Sequence, residues 1–444
     1  MLLDFSCRLP RLFSGISVLV LLVAAPGLLG AQTASETWSL EKLLAWGLKN
    51  HPQLQQTDGA VQSAKARIGQ TQSSLSPKLA ASAGYSRRRQ EFSSAWNSGL
   101  PHDDLSDSTN NSLSLQKVVY DSGRTRDLVQ AGQASWKASL QDRNALCIQI
   151  AGSIKSAFFQ VLQAKAMIKV QSDALEGFKT HLHKTRGFVE VGTRPPFDIT
   201  KAEVDVANAQ VSLIKAESAY RNTLAQLSRT AGLEESIVVE GAASQSQPIQ
   251  PLLDQAQLHE DIQKRPDIEA AKFRLNSASH QLREVKKGKA PTLSSSASYG
   301  WQGTVTPLDR SWAVGLSLNV PILDGKLTNF QKQDAEGSLQ AAQGRLASLR
   351  VDVRAALETA ITGVTDAFKR LEASQVLLRQ ASESLTLAEG RFDSGLGSPI
   401  EITDARTQYS NAQGTLVTTF YDALIALTQL DSALGKFPEE YIRK

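Results

Sequence analysis

Two periodicities alternate along the chain. Val353, Leu357, Ile361, Val364, Phe368 and Leu371 recur at spacings of three and four, as do Ile154, Phe158, Val161 and Ile168 in the first half. Apolar residues at that period mark one face of an amphipathic helix. Elsewhere the period is two. Trp312, Val314, Leu316, Leu318 and Val320 alternate with Ser311, Ala313, Gly315, Ser317 and Asn319. The same pattern places Leu293, Ala297, Tyr299 and Trp301, and Leu79, Ala81, Ala83 and Tyr85, on single faces of two further strands. Proline spacing outlines the helices: none falls between Pro101 and Pro195, Pro196 and Pro248, Pro321 and Pro399, or Pro399 and Pro438. The pattern predicts medium helices over about Leu40–Ser76 and Leu253–Lys289, and very long ones over about Arg124–Glu190 and Leu327–Ser394. A further medium helix follows each long one. Strands are expected over about 77–87, 111–120, 291–302 and 311–320.

These elements occur twice. An offset of 203 residues carries Gly192 onto Gly395, Pro196 onto Pro399, Ile199-Thr200 onto Ile402-Thr403 and Asn208-Ala209-Gln210 onto Asn411-Ala412-Gln413. Upstream it carries Leu113-Ser114-Leu115 onto Leu316-Ser317-Leu318 and Asp121 onto Asp324. Nearer the N-terminus the offset becomes 214, carrying Pro52 onto Pro266, Pro77 onto Pro291 and Tyr85 onto Tyr299. The first copy therefore holds eleven extra residues between Tyr85 and Leu113, and the polar stretch Arg87 to Asn111 reads as an exposed loop. Repeat 1 spans about 39–240 and repeat 2 about 252–435. Each long helix, at roughly 67 residues and about 1.5 Å per residue, is about 100 Å long. Two medium helices stacked end to end would match it and give a column of constant thickness.

The N-terminus adds a compartment. Arg8 and Arg11 precede a mostly apolar run from Leu12 to Ala25, and small Gly30-Ala31 follow before Gln32, the grammar of an export signal over residues 1–31. Residues 32–444 would be the mature chain, in which Cys147 reads as a small buried packing residue and no disulfide framework exists. No later apolar run reads as a membrane helix, so any membrane passage has to be a barrel. Strands alternating over about ten residues with aromatics near their ends suit an outer-membrane barrel. Four strands cannot close one, since bacterial barrels start at about eight, so three copies would pool twelve. The same residues leave another architecture open: a soluble periplasmic coiled-coil adaptor or scaffold whose strands form a small sheet.

Other function classes find little support. A net charge of +4 over 444 residues is too mild to point to nucleic acid. His181 and His183, two apart on a helix, face different ways and make poor joint metal ligands. Gly395-x-Gly397 lacks the strand-before, helix-after setting of a nucleotide loop. No enzyme motif, cofactor site or metal site is expected. Lys286, Lys287 and Lys289, and Arg87 to Arg89, flank the strands and could reach lipid headgroups or form ordinary solvated clusters.

Four stretches in order, "LEKLLAWGLKNHPQL", "KRPDIEAA", "GLSLNVPILDGKL" and "RFDSGLGSPIEITDARTQYSNAQ", resemble the outer membrane efflux proteins, the TolC-like family of trimeric channel-tunnels, over essentially all of the mature chain. The resemblance implies a mainly α fold with membrane β: a duplicated repeat of long antiparallel coiled-coil helices, with four strands per chain. Its homotrimer forms a 12-stranded β-barrel in outer membrane lipid and an α-helical periplasmic barrel. The implied role is passive export as the exit duct of a tripartite efflux or type I secretion system, with a periplasmic adaptor and an inner-membrane pump as partners. The duplicated turns become the periplasmic tips, with Gly192, Pro196, Gly395 and Pro399 shaping the turns and the adaptor-docking grooves. Carboxylates ring the pore there in related proteins, and by motif position Asp404 and Glu401, with Asp198 at the first tip, are the matching residues. Trp312, Val314, Leu316, Leu318, Tyr299 and Tyr85 become the membrane face of the strands. Ser398-Pro399-Ile400-Glu401 also has capping-box spacing, which gives Glu401 a structural explanation, and Asp198 suits a first helical turn. Asp404 is explained least by capping. Family members brace the closed tip with a tyrosine and an arginine where this chain has Phe392 and Gly397, leaving Arg194, Lys201 or Arg391 to replace that brace.

Overall fold

The computed structural model describes residues 37–92, 102–234, 237–239, 262–303 and 308–436. The expected export signal lies outside them, as do residues 240–261, which include the start of the second predicted medium helix. The strands are β1 (Thr37–Trp38), β2 (Lys78–Phe92), β3 (His102–Tyr120), β4 (Val238–Val239), β5 (Thr292–Gly303) and β6 (Asp309–Asn319). The helices are α1 (Leu40–Asn50), α2 (Pro52–Gln72), α3 (Arg124–Glu190), α4 (Phe197–Ala231), α5 (Pro266–Lys286), α6 (Leu327–Asp393) and α7 (Pro399–Leu434). Both long helices, α3 and α6, have 67 residues.

Strands β2, β3, β5 and β6 form one antiparallel sheet in that order, and the helices repeat it. Helix α3 packs against α2 and α4 on one side and α5 and α7 on the other, and α6 packs against α5 and α7. The wall therefore runs α2/α4, α3, α5/α7, α6. Sheet and wall are both arcs with open edges, β2 with α2/α4 at one and β6 with α6 at the other.

The two sheet faces differ as alternation requires. Tyr299 lies opposite Trp312 and Leu113, and Ala297 opposite Val314 and Leu115, while Leu79 pairs with Leu115. Trp312 and Leu316 are 76% and 74% exposed on this apolar face. The other face is small and polar, with Ser82 Oγ 2.8 Å from Ser112 Oγ and Ser298 beside Ala313 and Ser114. Strand β6 has 11 residues, within the roughly 9–11 that a tilted strand needs to cross an outer membrane.

Three expectations need correction. The stretch Arg87 to Asn111 is not simply a loop: β2 runs to Phe92 and β3 begins at His102, so the extra residues lengthen the hairpin itself. Ladder bonds need only backbone, so a polar sequence can continue a strand that an apolar pattern has already started. Second, the predicted helix over Leu40–Ser76 breaks at His51, whose ψ of 129° is the extended conformation that a following proline enforces. Only α2 continues the line of α4: a Cβ on Gly232, the residue ending α4, would lie 2.9 Å from Pro52 Cδ. Helix α1 lies beside that junction, its Leu43 and Leu44 packed in one core with Ile154, Val161 and Leu227. Third, α3 does contain an 18-residue window apolar enough to span a bilayer, but half of it is buried within the chain. Cys147, Ile154, Phe158 and Val161 there form the core beneath α1 and α4.

The passages from sheet to long helix are duplicated in detail. Asp121 accepts from the amides of Gly123 (3.0 Å) and Thr125 (2.7 Å), and Asp324 accepts from the Thr328 amide (3.0 Å) and hydroxyl. The Thr328 bonds, with Lys289 adding to them, hold the Asp324 carboxyl down to about 2. Each passage uses two left-handed residues, Ser122-Gly123 in the first and Gly325-Lys326 in the second. Two of the strand-flanking lysines are committed to carboxylates here: Lys287 to Asp127 at 2.6 Å and Lys289 to Asp324 at 3.3 Å.

Candidate functional site at the helix tips

Each long helix ends in the same turn. Gly192 and Gly395 have φ of 77° and 76°, which glycine adopts without steric cost. Thr193 N donates to Phe188 O (3.0 Å) and Leu396 N to Arg391 O (2.9 Å), the six-residue closure that satisfies the last carbonyls of a helix. The next helices start differently. Pro399 is the first residue of α7, with Ser398 as its cap. Pro196 instead precedes α4 and lies within the turn that Asp198 N closes onto Pro195 O at 3.1 Å.

The three expected gate carboxylates stand on this rim. Glu401 and Asp404 are exposed on α7, and Asp198 is half-buried in the first turn of α4. The capping box does not form. Ser398 Oγ accepts from the Ile400 amide at 3.3 Å, and Glu401 pairs with Arg391 at 3.3 Å. Asp404 and Asp198 make no ion pair among the described residues. The Asp404 carboxylate faces water, while Asp198 sits in the first turn of α4, where the helix N-terminus favours a negative charge.

Behind the rim lies a seam that the motifs did not reveal. Phe392, 1% exposed, packs against His181 (ring centroids 5.0 Å) and Phe188 (5.5 Å), both from the first repeat. Arg194 stacks over the same ring, its guanidinium carbon 5.2 Å from the centroid, and donates to Gly397 O at 2.6 Å. Of the three brace candidates, Arg194 is the one that crosses between repeats; Arg391 pairs within its own, and Lys201 makes no ion pair among the described residues. Gly397 has no room for a side chain, since a Cβ would lie 2.8 Å from Phe392 N. Lys184 to Asp393 (2.8 Å) and Thr403 to Asp205 (3.1 Å) add further ties between the repeats. His181 is 2% exposed and its Nδ1 has no hydrogen-bond partner. Burial, then Arg406 and Lys184, push its pKa down to about 4. His183 is exposed on the other face, and no metal-holding cluster occurs among the described residues. One signal was available: Arg194 and Gly397 are related by the repeat offset, so the cation of one tip meets the vacant position of the other.

Comparison with known proteins decides the lineage. A profile of the outer membrane efflux protein family matches residues 44–233 and 258–436. The chain belongs to that family. Outer membrane protein TolC of Escherichia coli is 23% identical over 434 residues, covering 93% of this chain and 85% of that protein. The probable efflux pump outer membrane protein TtgC of Pseudomonas putida is 24% identical, covering 89% and 83%. The crystal structure of the Campylobacter jejuni CmeC outer membrane channel superposes with a TM-score of 0.78 at 18% identity, over 89% of this chain and 85% of that one. This family member is an outer membrane export channel, and the soluble-adaptor architecture is not favoured.

Proposed function

We propose that three copies of this chain join edge to edge, β2 of one to β6 of the next, and form the exit duct of a tripartite efflux or type I secretion system. The observation that carries the proposal is the pair of matched open arcs. A four-stranded sheet, apolar on one face and serine-lined on the other, continues strand by strand into a helical wall with the same order and the same free edges. Closing one arc closes the other. Twelve strands enclose a polar lumen with the apolar band toward lipid, and the helices extend that lumen about 100 Å into the periplasm. Exposed Val204, Val211 and Ile214 on α4 and Val351 and Leu387 on α6 then become contacts between copies.

At the far end, threefold symmetry gathers Asp404, Glu401 and Asp198 around the axis, a like-charge ring that attracts cations and resists anions. Arg194 and Phe392 brace the closed tip. The exposed turns at Gly192, Pro196, Gly395 and Pro399 offer the grooves for a periplasmic adaptor, which couples the duct to an inner-membrane pump. Because the chain carries no energy-coupling motif, transport is passive along the duct.

Current through planar bilayers tests the gate. Joint replacement of Glu401 and Asp404 by alanine is expected to raise conductance and weaken cation preference. Unchanged current and selectivity would remove both residues from the gate.

A further inference from the structure

We propose that His181 makes the seam between the two tips acid-sensitive: a proton taken up on its buried ring loosens α3 from the α6–α7 turn and favours the open tip. The opening half of this statement rests on the reading of the tips as the gate; the seam itself is independent of it.

The geometry gives a proton no good place in the closed seam. His181 is enclosed, its Nδ1 is unpartnered, and its ring lies against Phe392. The charged groups facing it come from three helices. Lys184 is on its own helix, Arg406 is on α7, and Asp393 on α6 is the one anion that favours the charged ring. Asp393 is already held by Lys184 at 2.8 Å, and Glu389, the nearby carboxylate of α6, by Arg406 at 2.6 Å. Arg194 adds another cation over the Phe392 ring. A third positive charge beside Arg406 and Lys184 therefore meets cations whose counterions are engaged, on a ring that is itself only 2% exposed. Separation of the repeats returns the ring to solvent and relieves both costs.

The sign follows from linkage. The ring titrates at about 4 in the closed seam and near 6.5 once solvated. Stability that His181 lends the closed seam is complete above 6.5 and is lost as pH falls toward about 4. Between about pH 7 and pH 5 the open-to-closed ratio of one chain rises by at most about 20-fold.

Spin labels report the seam without requiring current. Gly187 on α3 and Gly390 on α6 both point into open space within one chain, so cysteines there accept labels without disturbing packing inside it, and Cys147 is buried. In the mature detergent-solubilised protein, the distance between labels is expected to lengthen and broaden on going from about pH 7.5 to pH 5. It is expected to stay fixed in H181F, which keeps the aromatic stack, and in H181Q, which keeps a polar but non-titrating side chain. An unchanged distance in the parent, or equal movement in both variants, overturns the proposal. Bilayer current separates the two readings: labels that move without any current remove the gate but leave the acid-sensitive seam.

Discussion

Phe392 shows how one ring can join two halves of a duplicated chain. Three first-repeat residues, His181, Phe188 and Arg194, converge on it, and only Arg194 combines a face-on cation contact with a hydrogen bond to the second tip. Replacing Arg194 with alanine should therefore increase open-channel current, by an energy of about 1–3 kcal/mol for the stack and charged bond together. Lysine should rescue poorly because it lacks the planar fork. Equal current in wild type and R194A would remove the clasp. A second residue-scale effect concerns pH. His51 accepts from the Gln53 amide through Nδ1 (3.2 Å) and caps α2, and burial lowers its pKa against the opposing pull of the Thr230 backbone. The neutral ring is the capping form, so its contribution is present above pH 6.5 and is lost on acidification. Melting followed by circular dichroism should show less of that acid loss in H51N, since asparagine caps without titrating. Of these residues, the tip glycines were legible because they sit in a repeated motif, and the carboxylates proposed for the gate were singled out by the family resemblance of that stretch. The seam was not, since an aromatic at helical spacing looks like any core residue, and its partners lie roughly 200 positions away in the sequence.

Element by element, the sequence was most informative where one face is strictly apolar. The long helices and the β5–β6 hairpin follow from period alone, because a 67-residue amphipathic helix and an alternating strand bury or expose the same face throughout. Pattern failed where backbone geometry takes over. The break at His51 was written in Pro52, yet the apolar residues on either side kept helical spacing and masked it. The longer first hairpin was hidden because its outer part is polar. The junctions between stacked helices were hidden too, though they repeat: His51 faces Thr230, and Arg265 donates to the Ala433 carbonyl while pairing with Asp267 at 2.6 Å. Gly435 permits that approach, with φ of 71° and a Cβ position 2.7 Å from Arg265 Cγ. G435A should lower the melting temperature through both backbone strain and contact, by about 1–3 kcal/mol, whereas G337A, in open space on α6, should be neutral or slightly stabilising. Equal melting temperatures would show that the junction does not depend on close approach.

For the whole molecule, the open edges matter more than any interior contact. A single arc leaves β2 and β6 with unpaired backbone groups that lipid cannot satisfy, so the membrane itself demands further copies. Light scattering of detergent-extracted protein, corrected for the micelle, should give the mass of three chains. A single-chain mass would reject the pooled barrel. The two sheet faces should also respond unequally to charge. L316R, on the apolar face, should cost about 2–4 kcal/mol and deplete assembled protein in outer membranes, while S317R, on the serine face, should assemble. Similar assembly of both would mean that the faces do not divide lipid from lumen.

The duplication has a last consequence, for shape. In the proposed trimer six tips would surround the rim, and they are of two kinds: one starts its return helix after Pro195-Pro196 and carries Arg194, the other starts at Pro399 and has Gly397 in the matching place. Seams alternate likewise, three bridged inside a chain by Phe392 and three lying between chains. A ring of identical tips would widen as a hexagon. In the proposed trimer the two sets of seams differ, so an aperture that opens at one set alone would dilate as a triangle rather than as a hexagon.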